Sequence, residues 1–313
     1  MGDYPKAVLE MERRFSTEEA CRAYLEQLRW PKGWTCPRCE GRGSWQATRG
    51  RWVCAACGYQ GTVTAGTIFA RTRTPLPLWF RAIWWVTSQK NGASALGLQR
   101  ILGLGSYETA WTWLHKLRRA MVRPGRDRLG GRVEVDETYI GGPEEGVIGR
   151  LTHNKALVMV AAQEDGRGIG RIRLGRISEL SRDAVHGFIA QAVKPGSVVR
   201  TDGLNVYQEL KGYTHDRIVV RRKAEDASAL LPRVHRVVSL LKRWLMGTHQ
   251  GAVSHAHLDY YLDEFTFRFN RRTSASRGKL FYRLLQQAVA VGPVPYDHII
   301  QHVRGRAPGK HKG

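Results

Sequence analysis

The 313 residues carry 50 Lys and Arg against 27 Asp and Glu, a formal charge of +23 with a pI near 10.4. Hydrophobic residues make up 42% and there are ten tryptophans, so the chain has the apolar mass for a packed core and is not a disordered basic tail. A surplus this large suits a polyanionic partner, nucleic acid before an acidic membrane, and no run approaches the ~20 apolar residues of a bilayer crossing.

The amino terminus, MGDYPKAVLEMERRF, lacks an apolar signal core, and Lys6 breaks the myristoylation pattern. The sequence therefore predicts a cytoplasmic protein with no membrane partner, whose cysteines are reduced. In FSTEEACRAYLEQLRWP, Ser16 and Glu19 have capping-box spacing and predict a helix from about Thr17, ended by Pro31 and Gly33, within an N-terminal helical segment over 1–30. Cys21 lies inside that helix as a buried thiol.

CPRC at 36–39 and CAAC at 54–57 then flank a short hairpin, the pattern of a zinc ribbon over 31–66. Cys36, Cys39, Cys54 and Cys57 would close one tetrahedral, structural Zn²⁺ site with no open position. Arg38, Arg42, Arg49 and Arg51 around it suggest a DNA backbone contact.

Residues 77–124 read as a helical DNA-binding region. PLWFRAIWWVTSQ is one helix, and SALGLQRILGL and SYETAWTWLHKLRRAM form a pair separated by Gly103 and Gly105. A glycine-bearing turn before a basic, aromatic second helix fits a helix-turn-helix; a plain three-helix packing unit is the alternative. VRPGRDRLGGR at 122–132 reads as a linker.

From 131 to 290 the pattern is that of a mixed α/β domain. RVEVDETYIGG (132–142), KALVMVAAQE (155–164) and GRIRLGRI (170–177) are strands. SELSRDAVHGFIAQAV (178–193) is an amphipathic helix with Ser178 or Ser181 near its cap, GSVVRTDG (196–203) a short buried strand, and LNVYQEL helix again. Residues 291–313 are expected to be a basic tail lying on DNA. Alternation puts Glu134 and Asp136 on one strand face, opposite Val133 and Val135. Asp202 ends the later strand. Each aspartate alone could be a turn or cap residue; on neighbouring strands they would converge and could hold Mg²⁺ or Mn²⁺ through oxygen.

The chain resembles the zinc-ribbon DDE transposases of insertion-sequence family 1595. The resemblance rests on RWPKGWTCPRC with CAAC, VEVDETYIGG, TDG, SLLKRWLMGTHQG and HLDYYLDEFTFRFNRR, and runs nearly end to end. It implies an RNase H-like catalytic domain behind the ribbon and the helix-turn-helix-like region, acting in a prokaryotic, nucleoid-associated setting. The activity it implies is cleavage of DNA phosphodiesters at element ends and transfer of the freed 3′-OH to target DNA by two catalytic Mg²⁺ or Mn²⁺ ions. Double-stranded DNA, both element ends and target, is the implied partner, and a homo-oligomer is expected on it.

By the same resemblance Asp136 and Asp202 are the first two metal ligands. The third position, seven residues before the lysine of SLLKR, is Glu, Asn or His in family members; here it is His235, followed by Lys242 as a phosphate contact. Two acidic rivals for the third position are Glu264, whose neighbours Arg268, Arg271 and Arg272 are expected to pair with acids or grip DNA, and Glu225 in a loop. Phe265, Phe267 and Phe269 are expected in the core. A catalytically decayed, DNA-binding relative and an RNase H-like nuclease or resolvase are the competing functions.

Overall fold

The structure is a computed structural model describing residues 3–123, 125–142, 155–218, 230–251 and 253–301. The chain divides into two compact units, one drawing on Met1–Pro124 and Thr273–His302, the other built on Gly125–Arg272. No helix among the described residues is long and apolar enough to cross a membrane.

The first unit opens with a helix that the sequence reading missed, α1 (Val8–Arg14), followed by α2 (Glu18–Arg29). The cap of α2 is Thr17, whose hydroxyl accepts from the Ala20 amide at 3.2 Å; Ser16 instead turns its hydroxyl back to the Arg13 carbonyl at the end of α1. The predicted Ser16–Glu19 capping box is thus displaced by one residue, because a preceding helix takes the first of two adjacent hydroxyls. Cys21 is fully buried, and burial pushes its thiol up to about 12, so it is inert at neutral pH.

A small antiparallel sheet follows, ordered β1 (Ser44–Ala47), β2 (Arg51–Cys54), β3 (Gln60–Gly61). Then come α3 (Leu76–Ser88), α4 (Ala95–Leu102) and α5 (Tyr107–Ala120). Gly103 ends α4 in the left-handed region at φ +62°, a conformation a side chain would strain, and Ser106 caps α5. The α4–α5 pair is therefore helix-turn-helix-like. Its second helix, however, turns Trp113 and Arg118 inward: Trp113 stacks on Trp79 with centroids 3.8 Å apart, and Arg118 is buried. In α5 only Tyr107 and Glu108 are fully exposed.

The second unit begins with the expected linker, but Leu129 is fully buried and its N–H and C=O pair with Ala192 and Lys194, so the segment is pinned before the sheet starts. The strands are β4 (Arg132–Ile140), β5 (Ala156–Asp165), β6 (Gly168–Ile177), β7 (Val198–Thr201) and β8 (Thr214–Arg217). Their order is β6-β5-β4-β7-β8, with β4, β5 and β6 antiparallel and β4, β7 and β8 parallel. That order, with helices on both faces, is the RNase H-like arrangement.

One face packs on α6 (Arg182–Ala192), capped by Ser181, through Val133, Val135, Val185 and Ile189. The other packs on α7 (Pro232–His249) and α8 (Leu258–Phe269). In α7 the residues Val234, Val237, Leu241 and Leu245 form the buried stripe at helical spacing, each side chain contributing about 1.5–3 kcal/mol by leaving water. Phe265, Phe267 and Phe269 are buried, as expected. LNVYQEL forms only a 3₁₀ turn at Asn205–Tyr207, not a resumed helix, since it has to connect β7 to β8 directly alongside.

Past α8 the chain returns to the first unit, so the boundary expected at 290 falls well beyond the end of the sheet unit. There α9 (Arg277–Ala288) packs on α3, with Phe281 against Phe80 and Trp84 at centroid distances of 5.7 and 5.5 Å. α10 (Tyr296–Gln301) occupies the start of the expected tail, anchored by buried Ile299. The rest of that tail lies outside the described residues.

Candidate active site and metal centre

In the ribbon, the two knuckles bring Cys36, Cys39, Cys54 and Cys57 together, with all four Sγ atoms within 4.8 Å of one another. Cys36–Cys57 is 3.6 Å and Cys39–Cys54 is 3.5 Å. Four thiolates at Zn–S distances around one tetrahedral ion lie about 3.8 Å apart, so the donor set fits zinc in number, chemistry and spacing. The amides of Cys57 and Ala56 pull the Cys54 thiol down to about 7. Cys39, although the Gly41 amide pulls it down, is pushed up to about 12 by the thiols of Cys57 and Cys54. Four thiols this close cannot all ionise without a cation among them. The cluster packs on Trp34 and Trp52, stacked at 6.2 Å, with Trp52 Nε1 donating to Glu26 at 3.0 Å. Arg38, Arg42 and Arg51 are exposed, Arg38 over the Tyr59 ring and Arg51 donating to Gln60; the side chain of Arg49 lies outside the described ones.

In the sheet unit, β4 and β7 run parallel with Glu134 opposite Arg200. Two residues further along each chain come Asp136, still in β4, and Asp202, just past the end of β7, both close enough to the Tyr207 hydroxyl for their charges to act on it. Asp136 is mostly buried, and His235, in the first turns of α7, brings its Nε2 to 3.9 Å from the Asp136 carboxylate. The Asp202 carboxylate accepts from the Leu204 amide at 3.1 Å, which fixes the turn after β7. Lys242 is exposed two helical turns beyond His235. Among the described residues only the four cysteines form a group of three or more metal-type ligands, so Asp136, Asp202 and His235 are not drawn in around a common point.

Beneath the pair lies a residue the sequence reading did not single out. Tyr207 is fully buried and donates to Glu137 at 2.6 Å. Burial, then the charge and hydrogen bond of Glu137, then the charges of Asp136 and Asp202, keep its phenol protonated far above the ordinary range. A tyrosine four residues past TDG was the available signal.

Glu264 is fully buried and its Oε1 accepts from Nε and an amino group of Arg268, both at 2.8 Å. Arg271 and Arg272 lie over the rings of Phe267 and Phe269 and donate to the main chain, Arg271 to Phe267 and Arg272 to Ile169, Gly170 and Phe269. The end of a helix leaves carbonyls that need donors, and these arginines supply them. Glu225 lies outside the described residues.

A four-cysteine ribbon together with an RNase H-like sheet bearing adjacent aspartates defines a zinc-ribbon protein of the RNase H-like class. Residues 128–270 match the family model described as the ISXO2-like transposase domain, and residues 16–60 match the transposase zinc-ribbon domain, together more than half of the chain. The chain belongs with the zinc-ribbon transposases of insertion-sequence family 1595. No curated protein matches. Among solved structures, one similar chain comes from the simian T-cell lymphotropic virus intasome in complex with PP2A regulatory subunit B56 gamma, at 13% identity and a TM-score of 0.32 over 71% of this chain and 77% of that one. A likeness that loose carries no argument about either protein.

Proposed function

We propose that this transposase binds the ends of its insertion sequence, cleaves DNA phosphodiesters and joins the freed 3′-OH to target DNA, with Asp136, Asp202 and His235 as the ligands of two Mg²⁺ or Mn²⁺ ions. The observation that carries the reading is the His235 imidazole 3.9 Å from the Asp136 carboxylate, and the parallel β4–β7 register, which pairs Glu134 with Arg200 two residues before each aspartate, supports adding Asp202 to the same site.

The donor set fits hard divalent ions: two carboxylates supply anionic oxygen, and a neutral imidazole completes the set without adding charge. When bound, such ions activate the attacking oxygen and stabilise the leaving one. The protein's own part is positional. Asp136 is held by a central strand, Asp202 by its turn, and His235 by the first turns of a packed helix. Lys242, about 10 Å further along that helix, is placed to hold a phosphate of the bound end. The +23 charge supplies sequence-independent attraction to the duplex, with the ribbon arginines and the α4–α5 region as contact surfaces. Pairing two element ends requires more than one copy of the chain.

The test uses the full chain, labelled DNA from both sides of its gene, and Mg²⁺ or Mn²⁺, scoring 3′-end cleavage and joining separately. Wild type should cut and join, while Asp136→Asn and His235→Ala should do neither. Activity surviving in His235→Ala would remove His235 from the site. Cutting without joining would make the protein a nuclease. Binding alone, with cutting restored by His235→Glu, would make it a decayed relative acting through DNA binding.

A further inference from the structure

The amino end of α7 has no cap of its own. Its N-cap residue is Leu231, which offers no side-chain acceptor, and Pro232 follows. The free amides of the first turn are taken from across the fold. Glu134 Oε2 accepts from Arg233 N at 2.8 Å and Val234 N at 3.0 Å, while Oε1 accepts from the Arg233 guanidinium at 2.9 Å. Glu134 is 1% exposed and stands two residues from Asp136 on the same strand face. Arg233 is held in turn by Glu164 at 3.1 Å and by the carbonyls of Gly166 and Gly168, both at 3.0 Å.

We propose that Glu134 is a positioning residue for the metal site: one strand carries both the ligand Asp136 and the acceptor that fixes where α7 starts, and hence where His235 stands relative to Asp136. An acid at a helix start is favoured by the free amides and the macrodipole whether or not the helix bears a functional group. What makes this one specific is that the next residue after the two bonded amides is His235. The inference rests on the assignment of His235 to the site.

The experiment is a double-mutant cycle in the full chain, with Glu134→Gln, His235→Ala and the double variant, reading strand joining and Mn²⁺ affinity. Hydrogen exchange of the Arg233 and Val234 amides is followed alongside. A displacement on the ångström scale costs on the order of 100-fold in rate. Glu134→Gln should therefore lose about that much joining and bind Mn²⁺ more weakly in the wild-type background, lose little further Mn²⁺ affinity in His235→Ala, where no joining is left to compare, and exchange faster in the first turn of α7. Equal losses in both backgrounds would overturn the inference, since Glu134 would then act on stability alone. If His235→Ala costs nothing by itself, the site assignment has failed; the anchoring claim is then decided by exchange, faster supporting it and unchanged overturning it. Should Glu134→Gln fail to fold, Glu134→Asp keeps the charge but withdraws it by one methylene, and the same coupled loss is expected.

Discussion

Asn270 pairs through both ends of its side-chain amide with the main chain of Ile172: its Oδ1 accepts from Ile172 N at 2.7 Å and its Nδ2 donates to Ile172 O at 3.1 Å. Ile172 lies in β6, an outer strand, so the amide acts as one residue of an absent neighbouring strand and closes part of an open edge. Asn270→Leu removes both bonds from a largely buried position. It should cost about 1–3 kcal/mol in urea unfolding, the range for leaving buried backbone groups unpaired. Asn270→Asp keeps the acceptor and sets an oxygen against the Ile172 carbonyl, so it should be no better. A loss under about 0.5 kcal/mol in both would mean that water replaces the amide fully.

Tyr207→Phe tests the layer under the aspartates. The ring stays in the α6 cluster, and only the hydroxyl donating to Glu137 is lost. A charge-assisted bond at 2.6 Å in a buried setting predicts a loss of about 1.5–3 kcal/mol in the same measurement. Neutral behaviour would show that Glu137 is held by its other contacts.

The parts of the fold that could be read ahead of the structure are those where a short stretch carries its whole reason. C-x-x-C spacing is such a case, as is the alternation of VEVDETY, which sorts Val133 and Val135 from Glu134 and Asp136 before any partner is known. Ser181 before an amphipathic run is another. What could not be read depends on partners distant in sequence. Glu134 could be placed on the strand face of Asp136 but not given a task, because nothing near it reveals that Arg233 and Val234 donate to its oxygens. The main-chain bonds of Arg271 and Arg272 could not be foreseen either, because the carbonyls they serve belong to β6 and to the end of α8. The β8 strand, THDR, is polar throughout and pairs only at the sheet edge, so no hydrophobic period announced it. Helix α5 differs again: its composition could not tell which aromatics are inward, and Trp113 stacks on Trp79, more than thirty residues earlier.

His215 gives the sheet unit a pH dependence. Thr201 Oγ1 donates to the Asp202 carbonyl, so His215 Nε2, 2.9 Å away, is the donor to Thr201. Burial first, then the charges of Arg217 and His186, outweigh Asp216 and hold its pKa below the ordinary 6.5. As pH falls below that value the unfolded chain takes up a proton that the folded state still refuses. The contribution is therefore present above the unfolded pKa and lost as pH falls through the folded one. The melting temperature of wild type should drop with pH across this window more steeply than that of His215→Gln, which keeps a donor for Thr201 and does not titrate. Parallel curves for the two proteins would remove His215 from the pH response.

Zinc removal should act on the ribbon before anything else. The segment from Trp30 to Gly61 has a core of Trp30, Trp34, Trp52 and its own cysteines, far too little apolar burial to hold three strands of four, four and two residues. Binding at a closed four-thiolate site supplies about 10–16 kcal/mol in comparable small domains, so here metal binding and folding are one event. Metal analysis of the purified chain should give one zinc, and a strong chelator or Cys36→Ser should expose Trp34 and Trp52 to solvent, seen as a red shift and loss of their fluorescence. Amide exchange in β4, β5 and β6 should be unaffected, because those strands are held by the sheet clusters and by α7. If the tryptophan signal survives loss of the metal, the stack of Trp34 on Trp52 and the bond from Trp52 to Glu26 hold the ribbon by themselves, and the zinc contributes no folding energy.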